Sequence, residues 1–84
     1  MRDQFVLRGE YVGAVMSEAA KLGFRALAQL DTDSNSDVVV MVSNDDGAFS
    51  IRSSAREIRM NASPDRIESL AKERVQMRLK EARG

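Results

Sequence analysis

An α+β two-layer sandwich is the fold this sequence predicts, with element order β-α-β-β-β-α, an antiparallel meander and two helices on one face. Three observations predict it. Between Gly23 and Ser53 lie three segments of β character separated by turn-forming residues, with helical patterns on both sides. The hairpin-type connections make neighbouring strands antiparallel. Each long helical segment carries one apolar side, which a sheet face can cover.

The elements follow in order. Gln4–Arg8 (QFVLR) reads as a short strand closed by Gly9. From Glu10 the apolar residues Val12, Val15, Met16, Ala19 and Leu22 recur at helical spacing, and Gly23 supplies the stop. Gly13 inside this helix costs about 1 kcal/mol relative to alanine, which implies close packing against a neighbour. From Phe24 the chain alternates: Phe24, Ala26, Ala28 and Leu30 on one side, Arg25, Leu27, Gln29 and Asp31 on the other, a half-buried strand. Asp31–Asp37 (DTDSNSD) is a loop. Asp37–Ser43 (DVVVMVS) is apolar on both faces and reads as the central strand. Asn44-Asp45-Asp46-Gly47 is a hairpin turn in which Gly47 is expected to take a positive φ. Ala48–Ser53 alternates again, with Phe49 and Ile51 inward. Ser54 and Glu57 have capping-box spacing for a helical turn over 55–60. Ser63-Pro64 opens the last helix, serine as N-cap and proline at its first position, and that helix runs over about 64–81.

This order resembles that of double-stranded-RNA-binding domains (helix, three strands, helix) and of ribosome-hibernation factors (strand, helix, three strands, helix). The resemblance is one of element order and spans most of the chain. The basic KKxAK-type start of the last helix, on which the RNA-binding family depends, is replaced here by Ser63-Pro64-Asp65-Arg66.

With 84 residues the chain is expected to form a single domain over 1–84. A domain of this size buries only about 60% of its unfolded surface, so association with a partner would add stability. No apolar run approaches the roughly 18 residues of a membrane span, and no signal-peptide pattern opens the chain. Cysteine and histidine are both missing. That removes disulfides, thiolate chemistry, the commonest general base and the commonest transition-metal ligand. The expectation is a cytoplasmic, non-enzymatic protein with no cofactor, no metal and no membrane contact. The three lysines, Lys21, Lys72 and Lys80, fall on helical faces, Asp45-Asp46 lies in a turn, and so small a two-layer fold suggests no pocket.

Net charge is zero, but residues 1–47 hold four basic and eight acidic groups, whereas residues 48–84 hold nine basic and five acidic. Such a split fits a basic binding face, or halves that attract one another within the fold or across a dimer.

Four constellations are candidates for function. Asp31, Asp33, Asn35 and Asp37 have the alternation of a calcium loop. The sixth position is Ser36 where glycine is needed, and the twelfth is Val42 where a bidentate glutamate belongs, so the segment reads as a solvated loop. Ser50, Arg52 and Ser54 share one strand face and lead to Arg56 and Arg59 at a helix start, a candidate anion or nucleic-acid contact to which Lys80 adds charge; Glu57 in the same turn opposes it. In the last helix, Ile67, Leu70, Ala71, Val75, Leu79 and Ala82 form an apolar stripe that includes Arg74 and Arg78. Burial of unpaired charge is costly. Either the later half of the helix projects past the sheet, or these arginines meet carboxylates, with loops 31–37 and 44–46 as donors, or their heads stay in water over long apolar stems. Finally, if Val38, Val40 and Val42 face the helices, then Leu27, Val39 and Met41 form an uncovered apolar patch, the mark of an interface.

The function expected is that of a small protein-binding or regulatory module, acting as a homodimer through its open sheet face and charged C-terminal helix, with Leu27, Val39, Met41, Arg74 and Arg78 as contacts. Small phage or bacterial modulators of larger machines share this profile. The alternative is a nucleic-acid-binding or ribosome-associated protein that uses Arg52, Arg56, Arg59, Arg74, Arg78 and Lys80.

Overall fold

A computed structural model describes residues 4–29 and 36–83. The elements are α1 (Gln4–Lys21), β1 (Arg25–Gln29), β2 (Val38–Asn44), β3 (Gly47–Ser53), α2 (Ala55–Met60) and α3 (Pro64–Arg83). The three strands form one antiparallel sheet in the order β1-β2-β3, and the helices lie on one of its faces. The α+β class, the meander and the two long helices are as the sequence predicts.

The first element differs. Gln4–Arg8 is not a strand but the opening of α1. A short apolar run has no period of its own; here the longer register decides. Leu7, Tyr11, Val15 and Ala19 fall four residues apart and are buried, flanked by Arg8, Val12 and Glu18. Met16 and Leu22, assigned to the stripe by spacing, lie outside it and are exposed. Gly9 does not end an element, and Gly13 has no close neighbour: a Cβ at either would meet nothing within 4 Å. Gly23 does end the helix, at φ 86°, where a side chain would be strained.

Alternation along the strands sorts the core. Val38, Val40 and Val42 of β2 and Ile51 of β3 are fully buried, with Phe24, Ala26, Ala28 and Phe49 packed around them. The rings of Phe24 and Phe49 meet edge to face at 5.5 Å. The β2–β3 turn forms without a positive φ at Gly47. Asn44 holds it instead, its Oδ1 accepting from the N–H of Asp46 (2.9 Å) and of Gly47 (3.1 Å), so the side chain does what backbone conformation was expected to do.

α2 opens on the capping box written in its sequence. Ser54 Oγ accepts from the Glu57 N–H, and Glu57 Oε1 accepts from the Ser54 N–H, both at 3.1 Å. Ser63 does the same for α3, receiving the Arg66 N–H at 3.3 Å. α3 buries Ile67, Ala71, Val75 and Leu79, so it docks along most of its length, against α1 and the β3 side of the sheet. Ala82, also assigned to the stripe, is exposed.

Candidate interaction surfaces

The sheet face turned away from the helices is uncovered among the described residues. Register places Leu27 beside Met41 and Met41 beside Ser50, with Val39 facing Arg52 in the next row and Ser43 facing Ala48 in the other. Leu27 is 73% exposed and Met41 47%. Val39 is half-buried between its neighbours. The three apolar residues singled out from the sequence therefore form one patch, bounded by Arg25 at one corner and Arg52 at the opposite one.

Arg74 and Arg78 belong to a different place. Neither projects past the sheet, and neither pairs with the 44–46 turn in any described contact; residues 31–35 lie outside the described residues. Arg74 flanks the buried stripe of α3 and forms an ion pair with Glu57, the capping carboxylate of α2. One acidic side chain thus ties the start of α2 to the middle of α3. Arg78 donates from Nε to the Ser50 carbonyl at 3.0 Å, lies 5.4 Å over the Phe49 ring, and has Nη1 3.7 Å from Glu81. Its guanidinium closes over the outer edge of β3.

The residues proposed for an anion at the α2 start are scattered. Ser54 spends its hydroxyl on the cap. Arg56 and Arg59 are exposed on α2 and Lys80 on α3. Arg52 is 68% exposed and 3.8 Å from Asp37. Arg52 leaves β3 on the open face beside Val39, whereas Arg74 and Arg78 stand on the helix side; a groove of about 90 Å³ along the β3 edge is lined by parts of all three together with Ile51, Met77 and Glu81.

Sequence reasoning missed two features. A bowl of about 480 Å³ opens between the hairpin and the end of α3, lined by Phe24, Phe49, Leu79 and Ala82 with Asp46 and Arg78 among the polar groups; no motif announces it, because its residues come from β2, β3, α3, the hairpin turn and the segment before β1. The second is a buried pair: the hydroxyls of Tyr11 and Ser53 are hydrogen-bonded in the core. Burial pushes the Tyr11 phenol above its usual value, outweighing the Ser53 hydrogen bond and the nearby Arg74 charge, which pull it down. Among the described residues no group of three or more acidic side chains is arranged to hold a metal ion. None of the described helices is long and apolar enough to cross a membrane. No protein-family model, curated protein or solved structure matches this chain.

Proposed function

We propose that this chain is a non-enzymatic protein-binding module that self-associates through the open face of its sheet. The observation that carries this reading is the contiguous patch of Leu27, Met41 and Val39, apolar side chains held out to solvent by strands whose other face is already filled. A sheet apolar on both sides needs a second cover. A second copy is a suitable one. The chain has zero net charge, so copies do not repel, and the centre of the patch carries no charged residue.

The size of the face sets the strength. Five residues along each strand and three strands across give a surface of about 17 by 14 Å, roughly 240 Å². A stable complex buries about 800 Å² per partner. The association is therefore weak and reversible unless the charged outer surface of α3 adds to it.

The test is sedimentation of the wild type and of Met41→Asp. Association by the wild type and a monomer for the variant are expected, because the variant places a charge where the patch would be buried. A monomer for both, with unchanged recovery of partners in pull-downs, removes the case for the sheet face.

A further inference from the structure

We infer that a second copy of this chain also pairs along the outer margin of β1, joining two three-stranded sheets into one of six strands. This contact rests on the self-association proposed above and extends it from the sheet face to the sheet margin.

Alternation of the ladder decides which backbone groups are free. The two-residue turn closes on the Asn44–Gly47 pair, which is a hydrogen-bonded one. Counting by twos from there, Val38, Val40 and Val42 bond to β3, whereas Val39, Met41 and Ser43 bond to β1. Their partners Gln29, Leu27 and Arg25 therefore spend their N–H and C=O groups on β2. Those of Ala26 and Ala28 point the other way, along a margin that carries no further strand among the described residues. Edge strands are commonly blunted by proline or by charge. β1 has no proline, and its one charged residue, Arg25, stands at its end.

The margin is complementary to itself. When Ala26 bonds to Ala28 of an antiparallel second copy, and Ala28 to Ala26, the two-fold axis passes between the two Leu27 side chains. They meet in the non-hydrogen-bonded position, where opposed side chains come closest. The two Arg25 residues are then about 14 Å apart along the strands, so like charges do not meet.

The helix above fits the same arrangement. α1 packs over β1 and β2, and α3 over β3. Glu10, Ser17, Glu18 and Lys21 of α1 line its cleft with α3. At about 100° per residue, the opposite flank, on the β1 side, consists of Gly9, Val12, Met16 and Ala20, none of them charged. Met16 is 38% exposed, and Gly9 and Ala20 are exposed as well. Paired margins bring two such flanks alongside without burying a charge.

Area favours a second copy. One open face of roughly 240 Å² falls short of the about 800 Å² per partner of a stable complex. Two sheets side by side double the face to roughly 480 Å², and the α1 flanks add to it. Two six-stranded sheets stacked by their open faces make a closed set of four copies.

The test is amide hydrogen exchange of the full-length ¹⁵N-labelled chain over a concentration series, with sedimentation equilibrium alongside. Stacked faces cover side chains and leave the in-plane N–H groups of the margin in water; paired margins cover those groups. The Ala26 and Ala28 amides should therefore slow about tenfold once about nine-tenths of the chains are associated. The Leu27 amide, bonded to β2, should be protected throughout. Ala28→Pro removes an outward N–H and no bond to β2. It should reduce the assembly from four copies to two, with Leu27 protection showing that the variant is folded. Association that leaves the Ala26 and Ala28 amides as fast as in dilute protein, or an unchanged assembly in Ala28→Pro, overturns the margin contact and leaves the sheet face standing. Slowing that persists undiminished in Met41→Asp supports the margin and counts against the face. A wild type that is monomeric at every concentration removes both.

Discussion

Truncation of Leu27 separates interface energy from folding energy. The side chain is 73% exposed in the single chain, so only about a quarter of it contributes to the monomer's own stability. Full burial of a leucine stabilises by about 1.5–3 kcal/mol. Covering the exposed three quarters is therefore worth about 1.5 kcal/mol per copy, and a two-fold dimer contains two copies. Leu27→Ala should cost the dimer about 3 kcal/mol and raise its dissociation constant by about two orders of magnitude. The monomer should lose only about 0.5 kcal/mol by the same area reasoning. Sedimentation equilibrium over a concentration series reads the first quantity, and denaturant unfolding below the dissociation constant reads the second. A dissociation constant within twofold or so of wild type would refute the assignment of the interface to this face. A large loss of monomer stability would refute the claim that Leu27 serves association and not packing.

Three further outcomes follow from the fold. Gly13→Ala should stabilise the chain by about 1 kcal/mol in thermal or denaturant unfolding, since the added methyl meets no atom within 4 Å and α1 gains helix propensity. Ser54→Ala should cost about 1 kcal/mol by the same measurement, through loss of the α2 cap. Tyr11→Phe leaves the buried Ser53 hydroxyl without its partner, at a cost of about 1 kcal/mol or more near neutral pH. Because burial raises the Tyr11 value above 10.0, the unfolded chain ionises first. The stabilisation linked to this group is full below pH 10 and is lost as pH rises through the folded value, so Tyr11→Phe should flatten the alkaline decline. Tyr11 is the chain's one tyrosine and there is no tryptophan, so tyrosinate absorbance follows this single group.

Local chemistry with a strict period or a fixed spacing was legible in the sequence. The alternation of DVVVMVS and FRALA sorted the two sheet faces, and serine with glutamate three residues on marked the α2 cap. What was not legible depended on register or on tertiary partners. QFVLR suits a strand or a helix equally well in isolation, and only its continuity with Tyr11, Val15 and Ala19 makes it helical. Gly9 and Gly13 resembled a stop and a close contact, but both are exposed helical glycines. The stripe of α3 identified Arg74 and Arg78 as misplaced charges. Their partners could not be read from it, because a capping glutamate, a strand carbonyl and an aromatic face meet them only once the chain is folded.

The Arg78–Ser50 contact also bears on whether a further strand can be laid on the sheet. A three-stranded sheet has two margins, and each is a template on which a further strand could be laid. On the β3 side that template is occupied at Ser50 by a guanidinium anchored over Phe49, so an incoming strand would first have to displace Arg78. Growth of the sheet from both margins, which a fibre requires, is thereby opposed on one side. A protein with apolar residues on an open sheet face has reason to limit its own polymerisation, and one well-placed arginine supplies a stop.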